Sequence, residues 1–294
     1  MAIRFPIVDA HHHLWDLRAN YYPWLTDEIS PRICGDYSAI RRDYTVSDFV
    51  MDQSALPVIA SVHIQANADV NGSVRETAWL QALADRPNSN GFPHAIVAHA
   101  RLETENVEDI LEQHGDFRNV RGIRQTLHDN PELLTDANWR RGVSLLKKFG
   151  FSFDLQIRPR EVEHALVVCD ENPGITFVLC HTGLPLDQSE PGIQLWRKSI
   201  NALAQRPNVY CKVSGFGMFN WHWVTNDIRD FVLYAIDAFT PGRCMFASNF
   251  PVDRLAGDYP RIWNAYDEIT NSFSPHERAA MFGGNALRTY KIAL

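Results

Sequence analysis

Two histidines spaced two apart, His11 and His13, stand at the end of the apolar run that begins at Ile7. In a strand alternate side chains share a face, so both imidazoles emerge on one side while His12 points to the other. A pair so placed is half of a divalent-metal site, or else a pair of hydrogen-bonding groups for neighbouring loops. Polar residues recur at the ends of later apolar runs: His63 with Gln65, Arg121 with Arg124, Asp154 with Gln156, His181, Lys212 with Ser214, and Ser248 with Asn249, Asp253 following close behind. Arg121 and Arg124 are three apart and cannot share a face. Arg124, nearer the end of its run, is the better clamp for a carboxylate, which a guanidinium holds through two parallel hydrogen bonds. Its plainer use is an ion pair that fixes a loop. His63 divides between pocket lining and a buried structural role. Asp253 can accept a proton, or it can cap a helix or pair with Arg254 or Lys212.

Elements with converging ends must carry these residues. Short runs rich in Val, Ile and Phe alternate with longer amphipathic stretches, the pattern of parallel strands joined by crossover helices. Strands are expected over 3–10, 58–65, 94–100, 120–124, 151–157, 176–181, 209–214 and 244–248. Helices are expected near 46–54, 73–86, 106–114, 137–149, 160–172, 193–206, 225–239 and 259–271. Eight such units in unbroken series close an α/β barrel of the (β/α)8 TIM type, whereas an open doubly wound sheet usually has fewer units and a glycine-rich first turn. The expectation is one barrel domain over 1–294, with the polar strand ends gathered at its carboxyl-terminal mouth.

Two segments break the rhythm. The stretch 14–45, with Trp15, Tyr21, Tyr22, Pro23 and Trp24, is an insertion after the first strand, too long for a plain connection; it should fold over the mouth as a lid or pocket wall. The tail Ser274-Pro275-His276-Glu277 combines an N-cap serine, a first-turn proline and the carboxylate of a capping box, so a last helix should cover the barrel. Residues 215–223 should bring Phe219, Trp221 and Trp223 to the mouth, to stack on a ring or shield the interior.

Composition narrows the partner. With 294 residues, 45% hydrophobic and 21% charged, the chain can bury a large core. A net charge of -7 argues against nucleic acid and anionic membranes and leaves a small molecule as the expected partner. The five cysteines, Cys34, Cys169, Cys180, Cys211 and Cys244, lack CxxC spacing and read as small buried hydrophobes rather than as a disulfide framework or a nucleophile. No export leader opens the chain and no window approaches the ~18 apolar residues of a membrane span, so a cytoplasmic protein is expected.

In order along the chain, Asp9-Ala10-His11-His12-His13-Leu14-Trp15, Val120-Arg121-Gly122-Ile123-Arg124, Cys180-His181-Thr182-Gly183-Leu184-Pro185, Lys212-Val213-Ser214-Gly215, Phe246-Ala247-Ser248-Asn249-Phe250-Pro251 and Gly284-Asn285-Ala286-Leu287-Arg288-Thr289-Tyr290 resemble the amidohydrolase superfamily of amidohydrolase 2 type. Within it they are most similar to the branch of sugar lactonases and 2-pyrone-4,6-dicarboxylate lactonase. The resemblance implies metal-ligand positions at His11 and His13, with His181 beside the substrate carbonyl as a further ligand or a hydrogen-bond donor. It implies one divalent metal, zinc suiting imidazole ligands best, although members of the branch also open lactones without metal. Gln156 stands where the wider superfamily has a histidine ligand, and strand four offers no lysine to carbamylate, so a binuclear centre is not expected. Most relatives carry an aspartate that shuttles the proton where this chain has Asn249, whose amide has no titratable proton to exchange. Asp253 is the expected replacement, with His181 next.

The function expected is therefore hydrolysis of a small lactone from sugar or aromatic catabolism. A decarboxylase of small aromatic or unsaturated acids and a binding barrel without catalysis are the alternatives. The expected roles are catalysis by His181, Asp253 and Asn249, metal binding by His11, His13 and His181, and substrate contact by Arg124, His63, Gln65, Gln156, Lys212 and Trp221.

Overall fold

Near-continuous apolar runs suit strands buried on both faces, and here they form a parallel sheet. The computed structural model describes residues 3–294; Met1 and Ala2, at the head of the stretch read for an export leader, lie outside them. The strands are β1 (Ile7–His12), β2 (Val58–Ile64), β3 (Ala95–Ala98), β4 (Val120–Ile123), β5 (Ser152–Leu155), β6 (Phe177–Leu179), β7 (Val209–Val213) and β8 (Cys244–Phe246). They pair in sequence order, every neighbour parallel, as a TIM barrel requires. The ring is joined above β8, where His12 bridges to Phe250, Asn249 N–H donates to the His11 carbonyl at 2.8 Å and His13 N–H donates to the Phe250 carbonyl at 2.7 Å. The seam therefore lies at the mouth, among site residues.

Around the sheet run α1 (Pro23–Thr26), α2 (Val46–Gln53), α3 (Ser73–Ala84), α4 (Val107–Gly115), α5 (Ala137–Phe149), α6 (Val162–Glu171), α7 (Glu190–Ala204), α8 (Thr225–Phe239), α9 (Tyr259–Ile269), α10 (Pro275–Ala279) and α11 (Asn285–Thr289). Each expected strand and helix is present, with shifted ends. β1 starts four residues later than expected, because Pro6 has no N–H to give the ladder; the first bond is Ile7 N–H to the Pro57 carbonyl at 2.9 Å. α5 shows how local signals set an end: Asp136 accepts from Trp139 N–H at 2.7 Å, and Gly150, with φ +66°, stops the helix in a left-handed turn.

Apolar side chains pack in two layers. Val8, Ala10, Val62, Val97, Val178 and Met245 fill the barrel, and a larger shell lies between strands and helices. The tail closes the amino-terminal end: the capping box at Ser274 and Glu277 forms, a π turn follows, and Tyr290 inserts into the barrel interior. Insertion 14–45 arches over the opposite end. Trp15 Nε1 donates to the Arg42 carbonyl at 2.6 Å and Trp24 Nε1 to the Ala66 carbonyl at 2.8 Å. Among the described residues no helix is long and apolar enough to cross a membrane.

Candidate active site

Strict alternation would put Asp9 on the same face as His11. The register of β1 slips between Asp9 and His12, so Ala10 faces the barrel interior and the His11 ring faces inward beside it. Such a bulge re-aims side chains. Asp9 turns outward, accepting from Ser248 Oγ at 2.6 Å, Ser248 N–H at 2.9 Å and Tyr259 Oη at 2.9 Å, and burial pushes its carboxyl up to about 6. His12 faces away from the pair, stacked on Phe49 with ring centres 4.1 Å apart.

His11, His13 and His181 form a cluster. Ring centres are 5.0 Å apart for His11 and His13 and 4.4 Å for His11 and His181. His181 stands on a run of left-handed backbone, with φ of +51° at His181, +54° at Thr182 and +72° at Gly183. Residues held there cost free energy and need clamping; Trp196 Nε1 donates to the Thr182 carbonyl at 2.7 Å. Gly215 passes so close that a Cβ at that position would lie 2.8 Å from His181 Nδ1. Burial first, then the neighbouring imidazoles, Arg124 and Lys212, hold His11 well below the usual histidine range; burial and Arg124 do the same to His13 and His181. All three rings are thus neutral at pH 7. His13 Nδ1 donates to the Ile64 carbonyl at 2.7 Å, which leaves the Nε2 lone pair free. His181 Nδ1 lies 3.1 Å from Ser214 Oγ, and neither ring nitrogen of His11 has a partner. Neutral rings with unclaimed nitrogens fit a divalent metal. The alternative trio of His11, Asp154 and Cys180, whose ligand atoms lie within 4.8 Å of one another, fits poorly. Asp154 is already bound to Lys212 and Tyr290, and burial pushes the Cys180 thiol up to about 12. All five cysteines are buried and free.

His13 and His181 line a cavity of about 490 Å³ at the carboxyl-terminal ends of the strands, together with Arg124, Gln156 and Asn249. Arg124 donates to Gln156 Oε1 at 3.0 Å and to the Gln65 carbonyl at 2.5 Å; its Nε has no partner. Arg121 points away, to backbone carbonyls at the amino-terminal end. The expected insertion wall is present as Trp24, Arg32, Ile33 and Cys34.

Six expected site residues do not line this cavity: His11, fully buried with its ring centre 4.4 Å from that of His181, and five more. His63 is fully buried with Nε2 3.2 Å from the Leu14 carbonyl, the structural half of its two roles. The Gln65 side chain is engaged with Asn67, and only its backbone carbonyl serves the site. Lys212 lies too deep in β7 and is paired with Asp154 at 2.5 Å. Trp221 props the insertion, donating to the Cys34 carbonyl at 2.9 Å; of the 215–223 loop, Met218 reaches the cavity while Phe219, Trp221 and Trp223 do not. Asp253 sits behind Asn249, accepting from its Nδ2 at 2.8 Å and from Gly217 N–H at 3.3 Å, and burial pushes its carboxyl up to about 7. Sequence reasoning missed Arg158, His128 and Arg32, which loops bring to the wall. His128 and Arg158 follow β4 and β5 closely, which is a signal the sequence carries, whereas Arg32 lies within the insertion and has none.

A barrel with a histidine cluster and a buried arginine at its mouth defines a hydrolase of the metal-centre barrel class. The chain belongs to the amidohydrolase family, whose sequence model matches residues 8–292. It is 42% identical to the uncharacterized protein y4mH of Sinorhizobium fredii, over 97% of this chain and 98% of that one. It is 29% identical to an L-fucono-1,5-lactonase of Burkholderia multivorans, over 97% of this chain and 96% of the relative. An amidohydrolase from Burkholderia multivorans solved with bound zinc superposes with a TM-score of 0.83 at 27% identity, covering 98% of this chain and all of that one.

Proposed function

We propose that the protein opens the ring of a small lactone by adding water to a polarised carbonyl. The observation that carries this reading is the cluster of three neutral imidazoles with unclaimed nitrogens beside a buried guanidinium at the barrel mouth. The likeness to L-fucono-1,5-lactonases supports lactone chemistry, and the zinc-bound Burkholderia structure supports a divalent metal. His11 and His13 would hold that metal, zinc suiting imidazole best, and it supplies Lewis-acid polarisation of the carbonyl and a more acidic water.

His181, fixed through Nδ1 by Ser214, presents Nε2 to the cavity as a neutral base. It takes the proton that the attacking water loses and returns it to the ring oxygen as the C–O bond breaks. Asn249 cannot take a proton, but its amide, tied to Asp253, is set to orient the water. In this reading His181, and not Asp253, carries the proton, since Asp253 lies behind Asn249 and does not line the cavity. Arg124, braced by Gln156, donates to the substrate beside the reacting carbonyl.

The test is metal content by plasma mass spectrometry, alongside acid release from a lactone panel with metal added or chelated. About one zinc per chain, with acid release lost on chelation, supports the reading. Carbon dioxide release from aromatic acids without lactone turnover overturns it in favour of decarboxylation, and tight ligand binding with no turnover overturns it in favour of a binding barrel.

A further inference from the structure

The cavity carries more positive charge than ring opening needs. Three guanidinium groups reach it, Arg124 from the end of β4, Arg158 from the loop after β5 and Arg32 from the insertion. The whole chain has a net charge of -7, so this is a local reversal of sign. Among the described residues none of the three makes an ion pair with a carboxylate. The Nε atoms of Arg124 and Arg158 are buried without any partner. The one carboxylate on the cavity wall, Asp129, lies 3.4 Å from His128 and is itself mostly exposed. Arg124 is buried and Arg158 and Arg32 are half-buried, and an anionic ligand would give all three the charge-assisted hydrogen bonds they lack to any carboxylate. A single arginine beside the histidines suffices for the carbonyl, which leaves Arg158 and Arg32 without a task in ring opening.

We propose that the substrate is an anionic lactone, its carboxylate or phosphate substituent received by the guanidinium groups of Arg158 and Arg32. This rests on the lactonase reading and narrows it, since it sets neutral sugar lactones aside as poor substrates. Arg158 is the anchor because it is partly buried, and a guanidinium grips a planar carboxylate or a phosphate face with two parallel bonds. Arg32, its guanidinium 5.5 Å from the Trp24 ring centre, is held at the cavity by that stacking contact.

The test uses matched pairs that differ only in charge: glucono-1,4-lactone against glucaro-1,4-lactone, and glucono-1,5-lactone against its 6-phosphate. The readout is the ratio of kcat/KM for the anionic to the neutral member. We expect a ratio of roughly 10 to 100 in the intact protein, collapsing toward one in Arg158→Gln, chiefly through KM. The Arg229→Gln control, which removes an ion pair with Glu268 between α8 and α9 and touches no cavity residue, should keep the ratio. Preference for the carboxylate pair or for the phosphate pair identifies the anion. A ratio near one, or one that Arg158→Gln leaves unchanged, overturns the proposal while lactone hydrolysis stands. If no lactone turns over, binding decides: calorimetry with cyclohexane-1,3-dicarboxylate against cyclohexane-1,3-dimethanol should show binding of the dianion alone, weakened at least tenfold in Arg158→Gln. Absence of dianion binding overturns the proposal independently of the activity.

Discussion

The barrel encloses two buried polar clusters that differ in one respect. On the floor, Asp154 accepts from Lys212 Nζ at 2.5 Å and from Tyr290 Oη at 2.9 Å, and the ammonium lies 4.9 Å from the Tyr290 ring centre. Each polar atom of this cluster has a partner. At the mouth, both nitrogens of His11 and the Nε atoms of Arg124 and Arg158 are buried without partners. An unsatisfied buried group costs about 1–3 kcal/mol, so the mouth holds a deficit that only a ligand, metal or water can remove, while the floor holds none. Unpaired atoms occur elsewhere too, as at both nitrogens of His12 and at Trp263 Nε1, so what distinguishes the mouth is that its unpaired groups adjoin a cavity a ligand can enter.

Substitutions at the two levels should therefore separate activity from stability. His181→Gln should lower kcat/KM for the best lactone by about 10²- to 10⁴-fold, the usual contribution of a positioned base, and leave the urea unfolding midpoint almost unmoved. Asp253→Asn should cost far less activity, because it keeps a partner for the Asn249 amide. Equal losses in the two variants would return the proton role to Asp253. Lys212→Met should do the reverse of His181→Gln, costing about 3–5 kcal/mol of stability by leaving Asp154 without its counter-ion, with only the Tyr290 hydroxyl to support it. Adding Asp154→Leu to it should recover most of that loss. A Lys212→Met protein that unfolds normally but has no activity would erase the distinction between floor and mouth.

Acid should probe the buried polar groups outside the mouth. Burial holds His63 at about 3 and His99 and His114 at about 4, and holds His12 well below the usual range. Below about pH 6.5 the unfolded chain protonates these rings and the folded one does not, so their support is lost as pH falls. Asp9 at about 6 and Glu76 and Asp253 at about 7 act oppositely. Between about pH 4 and 7 the folded state keeps protons that the unfolded state has released, so these carboxyls erode stability as pH rises. At about pH 6.5 the unfolded histidines are half titrated, and the four rings outweigh the three carboxyls by only about one proton near pH 5. Thermal scans should therefore show Tm rising from pH 5 to a maximum near pH 7, by the slope of about 1.4 kcal/mol per pH unit for each net proton. A Tm that is flat from pH 5 to 7 would show that the two sets cancel.

What the sequence conveys tracks this division only in part. Period-two spacing and strand ends make His11, His13 and His181 legible, and the eight alternating runs make the barrel so. Depth is not legible: Lys212 and Arg124 both sit inside the barrel near the end of a short apolar run, yet one is floor and the other mouth. Nothing local encodes how far up a tilted strand each residue stands. The bulge that turns Asp9 outward depends on Ser248 and Tyr259, more than two hundred residues away. Loop residues such as Arg158 and Trp221 are placed by tertiary contacts, so residue type there predicts charge and bulk but not address.

Tyr290 gives the smallest and sharpest test, because it joins the chain's last turn to the floor. Its hydroxyl donates to Asp154 Oδ1 and its ring stays among the apolar residues that fill the barrel. Tyr290→Phe removes the donor and keeps the ring. Asp154 still holds the Lys212 ion pair, so the cost should be close to that of one hydrogen bond to a charged acceptor, about 1.5–3 kcal/mol, with kcat/KM reduced less than tenfold. One Asp154 oxygen lies within 4.8 Å of a His11 nitrogen, so a floor that also tuned the histidines would show itself here as a displaced pH–rate profile. An unmoved profile with lowered stability would establish the floor as support alone.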